Sequence, residues 1–178
     1  MRKPIALGAL AVSLGMTAPA AAPGAVPPRS LNLTLANVEH FYETQFGVSP
    51  HWTHQRASHS TPQEWQSNGC AIGSVDSCNV QLGGSATNLH SLFLTAFIFS
   101  GGTPSDALAV IEATVNRFAP GARQWAAQTL TNDVGGSSFV NHAAASHSTS
   151  RYTLEIFTVA YRAQDAISLV LLPGTRTQ

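Results

Sequence analysis

The sequence predicts an α+β fold, with a mainly antiparallel sheet and one or two helices packed on one of its faces. Helical periodicity appears in residues 35–46 and again in residues 103–120. Alternating apolar and polar residues, which are typical of half-buried strands, appear in residues 78–83 and 151–162. The resulting order is a helix, several strands, a pair of helices and several more strands. Separate runs of helices and strands favour hairpins over parallel crossover units.

The clearest helix is predicted for Thr103–Pro120. Thr103 can cap the first backbone N–H groups, and Pro104 suits the first helical position. Asp106 places negative charge at the positive end of the helix dipole. Apolar residues recur at steps of three and four along this helix, at Leu108, Ile111, Val115 and Phe118. One apolar face of this kind needs a partner, and a sheet is the expected one.

Two further helices are predicted, one on each side of the first group of strands. Leu35–Phe46 follows a capping residue, Thr34, and precedes Gly47, which is a common helix end. A shorter helix is predicted for Ala122–Thr131, before a run of turn residues.

The longest apolar run, Leu89–Ser100, predicts a central strand that is covered on both faces. A buried helix is the alternative, and the aromatic and β-branched residues of this run favour the strand. A strand followed by an irregular segment is predicted for His51–Gln66. A weak strand is predicted for Ser138–Ser146.

Two hairpins are predicted from alternation and turn residues. The first pairs Gly69–Gly73 with Cys78–Gly83, and the second pairs Arg151–Arg162 with Ile167–Leu172. Gln164 followed by Asp165 is interpreted as the turn of the second hairpin.

The two cysteines, Cys70 and Cys78, predict a disulfide across the first hairpin. The closed loop would be short, so the bond should contribute about 2–3 kcal/mol at most. A catalytic thiol or a metal pair is the alternative. No base accompanies either cysteine in the sequence, and their spacing is unlike that of Cys-x-x-Cys sites.

The beginning of the chain predicts export. Arg2 and Lys3 precede an apolar segment, Ile5–Met16, which is too short to span a membrane comfortably. Small residues follow and favour cleavage after Ala20. An uncleaved anchor or an apolar core helix is the alternative. The predicted organisation is a signal peptide at 1–20, a flexible leader at 21–33, a single α+β domain at 34–174 and a tail at 175–178, in a secreted or periplasmic protein.

Charge argues against nucleic acid and anionic membranes as partners. Charged residues make up 10 % of the chain, against roughly 25 % in ordinary globular proteins. Removal of residues 1–20 would leave seven basic and nine acidic residues, a net charge of −2. A weakly acidic chain with scattered arginines has no basic patch for phosphates. No integral membrane segment is expected after cleavage.

Motifs for hydrolysis and for phosphate binding are incomplete. Residues 83–87, Gly-Gly-Ser-Ala-Thr, come nearest to a Gly-x-Ser-x-Gly elbow but fail at the last position. Residues 100–103, Ser-Gly-Gly-Thr, lie between a predicted strand and a predicted helix but lack the third glycine of a dinucleotide site. We interpret them as a tight turn and a helix cap.

The histidines His51, His54 and His59 are weak candidates for a metal site. On a strand, the odd separation of His51 and His54 would send their side chains to opposite faces. Solvated or singly hydrogen-bonded histidines are therefore the favoured interpretation, and the sequence predicts no metal and no cofactor.

Glu155 is the one acidic residue inside a strongly apolar predicted strand. Alternation places it on the same face as Phe157 and Val159, so it could face a pocket. A solvated carboxylate, or one paired with Arg151, is the favoured interpretation.

These observations favour a small exported protein that acts by binding. Its partner would be a small molecule, an envelope component or another protein. No catalytic residue is assigned. The alternative is an exported hydrolase whose site is assembled from distant residues, with a histidine close to a serine or a carboxylate.

Overall fold

The computed structural model describes residues 29–47, 49–54, 64–68, 78–99, 104–134, 144–160 and 164–174. In these ranges the chain forms three α-helices and seven β-strands. In chain order they are α1 (Leu35–Phe46), β1 (Trp52–His54), β2 (Trp65–Asn68), β3 (Cys78–Ser85), β4 (Asn88–Phe99), α2 (Pro104–Phe118), α3 (Arg123–Val134), β5 (Ala145–Ser148), β6 (Tyr152–Ala160) and β7 (Gln164–Pro173). A short 3₁₀ turn, Pro120–Ala122, joins α2 to α3.

The seven strands form one antiparallel sheet in the order β1-β2-β3-β4-β7-β6-β5. β4 occupies the middle of the sheet, and the short strands β1 and β5 form its edges. The α+β prediction is therefore confirmed, including the antiparallel sheet. None of the helices in the described ranges is both long and apolar enough to cross a membrane.

The helices share one face of the sheet. Side chains of all three helices join a single buried cluster with one set of alternating strand residues. On the strands this set includes Val80, Leu82, Leu92, Leu94, Leu154, Ile156, Leu169 and Leu171. In the helices it includes Val38, Tyr42, Val110, Ile111, Ala126 and Leu130. The main core thus lies between the sheet and the helical layer.

Helix α1 has the predicted bounds because its two ends are closed by local hydrogen bonds. The Thr34 hydroxyl accepts from the Asn37 backbone N–H over 3.1 Å, and the Asn37 side chain accepts from the Thr34 N–H over 3.2 Å. At the other end Gly47 has φ +67°, and its N–H donates to the Glu43 carbonyl oxygen. Helix α2 begins at Pro104, and its predicted cap, Thr103, lies outside the described residues.

The run at Leu89–Ser100 forms a strand rather than a buried helix, as expected. Its burial differs from the prediction. Leu92 and Leu94 are fully buried under the helices, whereas Phe93 and Phe97 on the other face are only half-buried. In the part of the chain that the structure describes, helices cover one face of this strand. The aromatic residues on the opposite face raise the hydrophobicity of the run to that of a strand buried on both sides.

A β-bulge shifts the pairing of β3 with β4 between Gly83 and Gly84. On a regular strand, Leu89 and Leu92 would point to opposite faces, because their separation of three is odd. The shift lets both side chains point into the core. Gly84 has φ +116°, a conformation that other residues rarely adopt, and the Trp65 indole N–H donates to its carbonyl oxygen over 3.1 Å.

The second predicted hairpin is confirmed, since β6 pairs with β7. Its turn was predicted too late in the chain. Gln164 and Asp165 belong to β7, because they pair with Phe99 and Ile98 of the central strand.

The first predicted hairpin is tested only in part. Cys78 begins β3 and is buried, and β3 pairs with Trp65–Asn68. Gly69–Gly73 and Cys70 lie outside the described residues, so the disulfide stays a prediction. The predicted strand at Ser138–Ser146 overlaps β5 only at its last two residues.

The end of the predicted leader is hydrogen-bonded to the domain. The Leu31 N–H donates to the Leu89 carbonyl oxygen, and the Leu89 N–H donates to the Leu33 carbonyl oxygen. Arg29 donates to the Gly174 carbonyl oxygen over 2.6 Å. The predicted signal peptide, the leader as far as residue 28, and the tail lie outside the described residues.

Candidate functional site

The candidate site is the sheet face that points away from the helices, which we name the open face. No helix of the described ranges lies on it. Its central part consists of three rows of residues that cross β4, β7 and β6. The pairing register defines these rows as Phe93-Val170-Glu155, Thr95-Ser168-Phe157 and Phe97-Ala166-Val159.

Three half-buried phenylalanines lie on the open face, and the rings of two of them, Phe93 and Phe157, are close neighbours. The ring centroids of Phe93 and Phe157 are 6.2 Å apart, with their planes tilted by 48°. The two residues lie on strands on either side of β7, and both are half-buried. Ser168 and Val170, on the strand between them, are only 3 % and 6 % exposed. The rings are therefore more accessible than the β7 residues that lie between them.

A pair of hydroxyl groups lies at the centre of the open face. The Thr95 and Ser168 side chains are hydrogen-bonded to each other over 3.1 Å, and either can donate. Both residues are buried, and each hydroxyl partly satisfies the other. A serine nucleophile needs a neighbouring base to take its proton, and Ser168 instead has the Thr95 hydroxyl as its neighbour.

Amide side chains extend two of these rows onto β3 and one of them onto β2. Gln81 pairs with Phe93, and Asn79 pairs with Thr95. On the far side, Gln66 of β2 pairs with Gln81. The open face thus has an amide half on β2 and β3 and an aromatic half on β4, β7 and β6.

Glu155 lies on the open face together with Phe157, as the alternation along this strand predicts. The residue is half-buried and stands opposite Val170 on one side and Ser146 on the other. It is the one charged residue of the three central rows. Arg151, the predicted pairing partner, is exposed and precedes the strand.

The histidine candidates lie elsewhere. His51 is exposed and precedes β1. His54 packs on the ring of Trp65, with centroids 4.3 Å apart. His59 lies outside the described residues. No group of three or more potential metal ligands occurs in the described ranges. His54 therefore has a packing role at the edge of the sheet.

A second histidine contact was missed from the sequence. His147 of β5 stacks on Trp125 of α3, with ring centroids 5.3 Å apart and planes 26° apart. This contact lies on the helical side of the sheet and joins the last helix to the edge strand. The two residues are far apart in sequence, so no local pattern predicts it.

A surface depression also runs along α3. It is lined by Gln124, Ala127, Gln128, Thr131 and Asn132, all from the same helix. The Thr131 hydroxyl donates to the Ala127 carbonyl oxygen over 2.8 Å, so its proton is used in a hydrogen bond within the helix. The depression offers no titratable side chain and is a weaker candidate than the open face.

Comparison of the chain with protein-family models finds no match, and comparisons with curated proteins and with solved structures find none either.

Sequence reasoning identified Glu155 but missed the rings and the hydroxyl pair around it. The sequence places Phe93 in a strand that is predicted to be buried on both faces, and it places Phe157 on the same face as Glu155. The alternation of Asn79 and Gln81 with apolar residues was the available signal, because it marks the same face as polar on the adjacent strand.

Proposed function

We propose that this protein is a non-enzymatic binding module whose ligand lies across the open face of the sheet. The observation that carries the proposal is the pair of neighbouring, half-buried rings, Phe93 and Phe157, on a face without a helix in the described ranges. A contiguous apolar patch on a protein surface commonly marks a contact site. Sites used for binding are often apolar with a few polar groups, and the open face has this composition.

The setting that we propose is outside the cytoplasm. It is supported by the basic, apolar and small-residue order of residues 1–20 and by a predicted Cys70–Cys78 disulfide. The hydrolase alternative has less support, since the Ser168 hydroxyl is bonded to Thr95 rather than to a base.

A thermal-shift screen of the exported chain against sugars, lipids, nucleotides and metals tests this proposal. A ligand of the folded state raises the melting temperature by mass action. We expect a hit whose shift disappears in Phe93→Ala and Phe157→Ala and persists in Gln128→Ala, which alters an exposed residue of α3. A hit that is unaffected by both phenylalanine changes would contradict the proposal.

A further inference from the structure

We infer that the open face takes a neutral carbohydrate chain, an inference that rests on the function proposed above. The first argument concerns charge. The three central rows carry one carboxylate, Glu155, and no cationic residue. A phosphate or carboxylate ligand would meet a like charge without a compensating cation, which disfavours nucleic acids and anionic headgroups.

The second argument concerns the two halves of the face. Gln81 on the amide half stands directly opposite Phe93 on the aromatic half. A purely apolar ligand lying across both would remove the amide from water without giving it a partner, which disfavours such a ligand. A sugar ring has an apolar C–H face that can lie on an aromatic ring. Its hydroxyl groups can both donate to and accept from an amide.

The third argument concerns length. The row through Gln66, Gln81, Phe93, Val170 and Glu155 crosses five strands. Neighbouring strands lie about 4.8 Å apart, so this row is roughly 19 Å long. It can accommodate several linked sugar rings, with amides at one end, the Phe93 ring in the middle and the Glu155 carboxylate at the other end, beside Phe157 of the adjacent row.

Calorimetric titration with neutral hexasaccharides tests the inference. The probes are cellohexaose, maltohexaose and mannohexaose, and Nile red serves as a neutral apolar probe without sugar chemistry. We expect one hexasaccharide to bind, and its affinity to fall by about tenfold or more in Phe157→Ala and in Gln81→Leu. Gln128→Leu on α3 is the matched control and should bind like the parent. Circular dichroism checks that each variant is folded, and Phe157→Leu replaces Phe157→Ala if the latter does not fold.

The contrary outcomes separate the two proposals. Two results would overturn the carbohydrate inference and leave the binding function in place. In the first, Nile red binds in a way that depends on Phe157 and no saccharide binds. In the second, Nile red binds in the same way and saccharide binding is unchanged in Gln81→Leu. If no probe responds to changes at Phe157 or Phe93, both the inference and the function proposed for the open face are wrong.

Discussion

The Tyr42 hydroxyl donates a hydrogen bond to the Thr114 hydroxyl, 3.4 Å away, inside the core between α1 and α2. Tyr42 is the donor because Thr114 has only one hydroxyl proton. Thr114 donates that proton to the Val110 carbonyl oxygen, 2.8 Å away. Tyr42 and Thr114 are 0 % and 1 % exposed. A polar link therefore joins two helices where water is excluded.

The first prediction concerns this link. Tyr42→Phe should lower the free energy of unfolding by about 1 kcal/mol, since one buried hydrogen bond is lost while Thr114 keeps its bond to Val110. Urea unfolding measures the change. In Thr114→Val, where the hydroxyl partner is already absent, the further change Tyr42→Phe should cost less than it does in the parent. An equal or larger cost there would contradict the hydrogen bond between the two hydroxyls.

The second prediction concerns alkaline pH. Burial raises the pKa of Tyr42 well above its ordinary value, and the Thr114 hydrogen bond offsets only part of this rise. The folded state therefore retains a proton that the unfolded chain loses near pH 10. This contribution to stability is fully present below pH 10 and decreases as pH rises further. Urea unfolding at pH 9 and pH 11 should show a smaller loss in Tyr42→Phe than in the parent. An equal loss in both would contradict the assignment.

The third prediction concerns the bulge glycine. A Cβ atom at Gly84 would overlap the Asn88 carbonyl oxygen and approach the Leu89 Cα to 2.9 Å, at a φ of +116°. Gly84→Ala should destabilise the protein by more than about 1 kcal/mol. Gly47→Ala is the matched control, because Gly47 also has positive φ but has open space around it. Thermal unfolding should rank Gly84→Ala as the more damaging change, and the reverse order would contradict the bulge geometry.

The fourth prediction separates the two faces of β6. Ile156 is fully buried under the helices, whereas Phe157 is half-buried on the open face. Ile156→Ala should cost about 2–5 kcal/mol, because it leaves a cavity in the core. Phe157→Ala should cost less although it removes a larger side chain. Chemical denaturation of both variants measures the difference, and a larger cost at Phe157 would mean that the open face is packed in the folded protein.

The fifth prediction concerns the cysteines. If Cys70 and Cys78 are bonded, thiol titration of the unfolded, unreduced protein should find no free thiol. Reduction of the bond should lower the free energy of unfolding by about 2–3 kcal/mol, because the unfolded chain is no longer restricted by the bond. The pair of changes Cys70→Ser and Cys78→Ser should have the same effect. Two titratable thiols in freshly purified exported protein would refute the pairing.

Local chemistry explains why some elements were predicted accurately. The bounds of α1 depend on Thr34 and Gly47, which act through bonds within four residues. The hairpin of β6 and β7 follows from alternation and from closeness in sequence. The turn was misplaced at Gln164 because this residue pairs with Phe99, a partner that is distant in sequence.

Sequence by itself determined the class of fold, the helix α1, the central strand and the absence of a complete catalytic motif. These features depend on periodicity, on caps and on residues that are close together along the chain. Only the tertiary structure decided which face of β4 lies under the helices and which residues meet on the other face. Phe93 and Phe157 become neighbours because β7 pairs with both of their strands. The pairing of β7 with β4 joins segments that are distant in sequence, so no local pattern predicts it.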